Sequence, residues 1–214
     1  MSNRKDTKQG TFYFQPFSDK QMKVLTCWQD NSPMQDKFMV VADGSIRSGK
    51  TVVMSLSFVL FVMNNFSDMN AAICGKSVGT VRRNIIPTLK QMLLTIGYEC
   101  IDHRSENYLE IKYDNKVNYF FIFGAANESS QDMIQGLTLC ALYIDEVVLI
   151  NKSFYYQALG RLSVDGAKCF VNCNPNSPYH WFYKEVLQKL EDNDGLYLHF
   201  TMKDNLSLSD DVRN

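Results

Sequence analysis

Four short apolar runs rich in β-branched and aromatic residues, Phe38–Ala42, Ala71–Cys74, Leu142–Asp145 and Lys168–Cys173, punctuate the chain at strand length. Between or after them, Lys50–Asn65, Val78–Ile96, Ser153–Leu162 and Tyr179–Leu190 carry apolar residues at helical spacing. Strand followed by helix, repeated, predicts parallel strands joined by right-handed helical crossovers. Tyr108–Tyr113 and Val117–Phe123 flank Asp114, Asn115 and Lys116 and read as an antiparallel hairpin on the same sheet, and Gly195–Thr201 reads as one more strand. The expected architecture is a single three-layer α/β/α sandwich with a mainly parallel sheet.

The longest apolar stretch, Val52 to Met63, is shorter than the roughly 20 residues a bilayer requires and is interrupted by Ser55 and Ser57, so it predicts a buried helix and no membrane partner. A chain of 214 residues with 45% hydrophobic content can bury one large core. Its net charge of −1 excludes a basic nucleic-acid arm, so any contact with DNA has to come from a local patch. The six cysteines form no CxxC pair and the three histidines stand alone, which argues against zinc and against a disulfide framework and fits a reducing, cytosolic setting. Met1 to Gln9 is polar and lacks the apolar centre of a secretory signal.

The junction of the first strand and helix carries the clearest chemistry. Gly44, Ser45, Ile46, Arg47, Ser48, Gly49, Lys50 and Thr51 spell G-x-x-x-x-G-K-T after a strand and before a helix, the setting a phosphate-binding loop needs. Glycines let the backbone curl until successive N–H groups and the helix N-terminus face an anion. Lys50 can then reach β- and γ-phosphates, and the Thr51 hydroxyl can join a Mg2+ shell. Arg47, inside the loop, is a candidate cation for the γ-phosphate, with a salt bridge outside the site as the alternative.

Downstream, Asp145 and Glu146 end an apolar strand, so both acids emerge at the carboxyl edge of the sheet. Asp145 is expected to hold Mg2+ and Glu146 to deprotonate a water aimed at the γ-phosphate. Taken alone, the pair could equally be a solvated strand end or a helix cap; the loop upstream favours the catalytic reading. The strand Cys169–Cys173 leads into Asn174 and Pro175, placing the amides of Asn172 and Asn174 at the same edge. Asn174 is the favoured sensor of the γ-phosphate or the attacking water, with a simple Asn-Pro turn as the alternative. Gln21, on a helix ahead of the first strand, has the donor and acceptor needed to read an adenine edge, with an exposed helix glutamine as the equal alternative.

The blocks SDKQMKVL, VVADGSIRSGKT, IQGLTLCALYIDEVVLI, GRLSVDGAKCFVNCNPNSPYHWFYKEV and HFTMKDNLSLSD, in that order, resemble the ATPase domain of the large terminase subunits of tailed double-stranded DNA bacteriophages. The resemblance implies a P-loop NTPase fold of the ASCE type, with Gly44–Thr51 as Walker A, Asp145 and Glu146 as Walker B, and Asn172 to Pro175 as a coupling motif. It further implies an ATP- and Mg2+-dependent motor that translocates double-stranded DNA into a procapsid in the infected host's cytoplasm. The implied partners are the portal protein, the small terminase subunit and further copies of the chain in a ring. Residues 1–16 would form an N-terminal arm, 17–203 the ATPase domain, and 204–214 the start of a linker toward a nuclease domain.

Two departures accompany the resemblance. No acidic cluster beyond Asp145 and Glu146 suits two-metal chemistry, so no nuclease activity is expected of these residues. Where many relatives place an arginine that acts on a neighbour's ATP, this chain has Gln135. Arg161 reads as a packing or capping residue after its helix, and Lys76, Arg82, Arg83 and Lys90 as a mostly solvated face. A P-loop kinase or other nucleotide-dependent transferase is the alternative reading. It would not require Glu146.

Overall fold

The computed structural model describes residues 12–174, 178–192 and 194–213. Its elements are α1 (Asp19–Thr26), β1 (Met39–Gly44), α2 (Lys50–Asn65), β2 (Met69–Gly75), α3 (Val78–Asn84), α4 (Ile86–Thr95), β3 (Glu99–His103), β4 (Tyr108–Tyr113) and β5 (Lys116–Gly124). There follow α5 (Gln131–Ile134), β6 (Ala141–Ile144), α6 (Lys152–Leu159), β7 (Lys168–Cys173), α7 (Trp181–Glu185), β8 (Gly195–Phe200) and α8 (Asp210–Arg213). One sheet in the order β3-β4-β5-β2-β6-β7-β1-β8 holds all eight strands; from β5 to β8 every pairing is parallel, and β3, β4 and β5 pair antiparallel. The strand that ends in the glycine loop and the strand that leads to Asp145 are separated by one additional strand, β7. This is the arrangement expected of the ASCE type.

Two cores follow from the alternation of side chains along buried parallel strands. Val40, Ala42, Ile73, Tyr143 and Phe170 face α1, α2 and α4, while Val41, Ala72, Leu142, Ile144 and Val171 face α6 and α7. Helix α2 lies under the centre of the first layer and is buried along most of its circumference, which is why its sequence reads almost uniformly apolar. Phe58 on α2 touches the rings of Phe120, Tyr143 and Phe170 from three strands. The two serines that interrupt the run are satisfied locally. Ser55 donates to Val52 O, and the fully buried Ser57 donates to Val24 O at 2.6 Å and accepts from Trp28 Nε1 at 2.9 Å. Among the described residues no helix is long and apolar enough to cross a membrane. Phe12 and Phe14 pack against the α2-side core.

The structure corrects three expectations. The helix expected over Val78–Ile96 is two helices broken at Ile85, because Pro87 lacks an N–H and its ring clashes with the carbonyl four residues earlier. The helix expected over Tyr179–Leu190 is a five-residue α7 followed by a separate 3-10 turn at Leu187–Lys189. The hairpin gains a third strand, β3, whose sequence Glu-Cys-Ile-Asp-His shows no apolar alternation because it is an edge strand with no fully buried residue.

Ser57 links α1, Trp28 and α2 through one hydroxyl, so Ser57→Ala leaves the Trp28 indole N–H buried without its acceptor. The expected cost is about 1–3 kcal/mol, read as a lower urea midpoint at unchanged slope. An unchanged midpoint would show that the indole finds another partner.

Candidate functional site

Strand β1 delivers the chain to the carboxyl edge of the sheet, where the loop before α2 begins. Gly44 adopts φ +131°, and a Cβ there would fall on the carbonyl of Phe200 in neighbouring β8, so only glycine fits between the two strand ends. Ser45 N–H donates to that same carbonyl at 3.1 Å. Gly49, at φ +83°, forms the N-cap of α2, and a Cβ there would stand 2.7 Å from Gln21 Nε2. Between them Arg47 is also left-handed, at φ +62°, with its carbonyl held by Asn205 Nδ2 at 2.7 Å.

The loop closes around Lys50, whose side-chain nitrogen donates toward Gly44 O (2.9 Å), Ser45 O (2.7 Å), Ser48 Oγ (3.3 Å) and Asn174 Oδ1 (3.1 Å). Burial lowers the Lys50 pKa, while Cys173, Asp43, Glu146 and Asp145 act in the opposite direction.

The two acids follow β6. Asp145 N–H still donates to Cys74 O of β2 at 2.8 Å, which carries the strand's alignment one residue further. Its Oδ1 accepts from Asn172 Nδ2 (2.7 Å), Tyr143 OH (3.1 Å) and Thr51 Oγ1 (3.3 Å). Burial raises the Asp145 pKa, and these three hydrogen bonds and the Lys50 charge oppose the rise. Glu146 is left-handed at φ +52°, a conformation that costs a non-glycine residue on the order of 1 kcal/mol or more. Its N–H donates to Asn172 Oδ1 at 2.7 Å, and its Oε1 accepts from Asn174 Nδ2 at 3.4 Å.

Ile46 to Thr51, Glu146, Asn172 and Asn174 therefore line one cleft of 380 Å³, with Asp145 seated against Thr51. Gln21 stands behind Gly49 and lines an adjoining apolar cleft. Its Oε1 already accepts from Ser18 N–H in a capping box, so the amide nitrogen is the end that reaches Gly49. Pro175 lies outside the described residues. Gln135 is exposed and donates to Asp132, and Arg161 Nη2 donates to Gln157 one helical turn back, as a packing residue would. Arg82 is engaged by Asp102 at 2.9 Å, which removes it from the loose basic face.

Two participants have no counterpart among the expected residues. Tyr143 is fully buried and puts its hydroxyl on Asp145; the signal was a phenol two residues before the acid, on the same face of β6. Asn205 reaches the loop from 158 residues away, a contact no local pattern announces.

The sequence profile of the phage terminase large subunit family matches residues 36–214. The chain belongs to that family. This terminase chain is similar to the large terminase of the thermophilic bacteriophage D6E, with 55% identity, a TM-score of 0.90, and coverage of 92% of this chain and 49% of the other. It is also similar to the D6E large terminase in complex with ATP-gamma-S, at 52% identity and TM-score 0.86, covering 92% and 48%. The chain thus spans about half the length of these solved relatives. The ATPase domain of the Thermus phage P74-26 large terminase shares the fold at TM-score 0.58 and 14% identity, covering 86% of each chain. No curated protein matches the chain.

Asn172 joins Thr51, Asp145 and the Glu146 backbone of this terminase. Asn172→Leu keeps the branched shape and removes every one of these hydrogen bonds, so unfolding should become easier by about 1–3 kcal/mol. A thermal or urea midpoint equal to that of the wild type would mean that Thr51 and Tyr143 suffice to hold the acids.

Proposed function

We propose that the chain is the ATP-hydrolysing motor domain of a DNA-packaging terminase. It would couple ATP turnover to translocation of double-stranded DNA into a procapsid. One observation carries the reading: Asn174 accepts from Lys50 with one end of its amide and donates to Glu146 with the other. The cation suited to phosphate and the carboxylate suited to water stand in one hydrogen-bonded set, of which a kinase acting on a small acceptor has less need. Relatives solved with ADP and with ATP-gamma-S support the choice of nucleotide.

In this mechanism the triphosphate lies on the loop N–H groups and the N-terminus of α2. Lys50 has three protons shared among four acceptors, so it can direct one toward a β- or γ-phosphate oxygen without losing its anchorage. Thr51 Oγ1 and Asp145 Oδ1, 3.3 Å apart, are hard oxygen donors suited to Mg2+. Among the described residues no cluster of three acids, histidines or cysteines could hold a metal alone, which fits an ion that completes its shell with phosphate and water. Bound there, Mg2+ would offset charge on the phosphates. Tyr143 and Asn172 keep the Asp145 carboxylate aimed at Thr51. Glu146 accepts the proton of the attacking water, and Asn174 reports the presence of the γ-phosphate to it through Lys50. Arg47, exposed on the rim of the cleft, adds a cation to the γ-phosphate. Gln21 Nε2 and the apolar cleft beside it take the base.

The motor would comprise residues 17–203, with 1–16 as an arm and 204–214 opening toward a nuclease domain. Its partners would be DNA, the portal protein, the small terminase subunit and further copies of itself in a ring, in the cytoplasm of the infected cell.

Two variants test the assignment by direct nucleotide titration and phosphate release. Lys50→Ala should lose measurable ATP binding. Glu146→Gln should bind ATP as the wild type does while turnover falls by roughly 10²-fold or more, since the amide cannot take a proton. Wild-type turnover by Glu146→Gln would remove Glu146 as the base.

A further inference from the structure

The phosphate cleft and the apolar cleft are separate depressions that share a boundary. The first is lined by the loop, Glu146, Asn172 and Asn174; the second, of 280 Å³, by Phe12, Tyr13, Pro16 and Phe17 among others. Gly49, Val52 and Asn205 line both. A ligand with its phosphates in one and its base in the other has to pass its sugar across that shared boundary. Gly49 and Val52 present there only a backbone and an apolar side chain. Asn205 is the polar group at the crossing, and Ser207, on the wall of the apolar cleft, is bonded to it.

The segment bearing these residues is fixed. Phe200 O accepts from Ser45 N–H where β8 meets the loop. Asp204 then accepts from Thr201 N–H at 2.7 Å and from Lys20 of α1 at 2.9 Å, tying the turn to the helix that carries Gln21. One proton of Asn205 Nδ2 goes to Arg47 O, and Asn205 Oδ1 accepts from Ser207 N–H at 3.2 Å and Ser207 Oγ at 2.6 Å. An amide nitrogen has two protons and a hydroxyl oxygen two lone pairs. The bonds already made leave one donor on Asn205 and acceptor capacity on Ser207, side by side. A sugar hydroxyl is both donor and acceptor, and this pair complements it.

We infer that Asn205 and Ser207 recognise the ribose hydroxyls of the bound nucleoside triphosphate, with Asn205 also positioning the Arg47 carbonyl of the phosphate loop. This rests on the reading of the loop as an ATP site. The inference brings residues beyond position 203 into the nucleotide site itself.

The test compares ATP with 2′,3′-dideoxy-ATP by calorimetric titration against the same protein. The wild type should bind ATP the more tightly. Ser207→Ala should weaken ATP by roughly 3- to 10-fold, the worth of one hydrogen bond, and leave the dideoxy nucleotide unchanged, because that ligand has no hydroxyl to lose. Asn205→Ala should weaken both nucleotides, since it also frees Arg47 O, and should reduce the preference between them. Equal wild-type affinity for the two nucleotides, or a preference left undiminished by Ser207→Ala, overturns the inference while leaving the ATP site standing. Absence of any ATP binding by the wild type would instead overturn the ATP site, and this inference with it.

Discussion

Strands β1 and β6 are not neighbours, yet the loop after one and the acids after the other have to face a single ligand. The strand between them supplies the connection. Asn172, 1% exposed near the end of β7, donates to Asp145, Thr51 and Tyr143 and accepts from Glu146 N–H. An amide unpaired at this depth would cost several kcal/mol, so the contacts are made together or the strand ends separate. The rest of the site inherits its geometry from that bond set. Thr51 sets the first turn of α2, Asp145 takes its direction from three donors, and Glu146 is held in a backbone conformation it would otherwise leave.

Burial gives these contacts their strength and also limits them. Lys50 and Asp145 are displaced in the directions desolvation dictates, the lysine down and the acid up, and each is opposed by partners within the site. Cys173, one residue past Asn172 on the opposite face of β7, is pushed up to about 12 by burial and remains a neutral thiol beside them. Asp43, the residue before Gly44, points to that face too and meets His199 of β8 at 2.7 Å. This acid–imidazole pair ties together β1 and β8, the two strands whose ends meet at Gly44.

Much of this was legible because it depends on local rules. The glycine spacing of the loop follows from positive φ at Gly44 and Gly49, a requirement of the residue itself. The acids were visible because an apolar strand has to end somewhere and charged residues mark where. The parallel sheet followed from alternation. What stayed hidden depends on distance or on context. Edge strand β3 has no core to pattern it, and Pro87 was readable as a breaker yet lay inside a run whose spacing continues through it. Tyr143 looks like any core aromatic until Asp145 is seen beside it. Asn205 falls in one of the blocks that carry the resemblance, yet no local pattern gives its role, which lies in a carbonyl 158 residues earlier. Gln21 shows the reverse case: the residue was identifiable, but its capping bond to Ser18, itself a local S-x-x-Q pattern, had claimed the acceptor.

The charge balance of the cleft follows from the same placements. Lys50 and Arg47 stand opposite Asp145 and Glu146, two cations against two carboxylates, so the side chains together offer an incoming polyanion little net attraction. The favourable field has to come from elsewhere. Part of it lies in the N–H groups of the loop and the N-terminus of α2, which Gly49 at the cap leaves uncovered by any side chain. Beside the loop, Thr51 Oγ1 and Asp145 Oδ1 lie 3.3 Å apart, two hard oxygen donors of the kind a divalent cation takes. A balance of side-chain charges also suits release: a site that bound its anion chiefly through fixed cations would hold a product anion as firmly as the substrate.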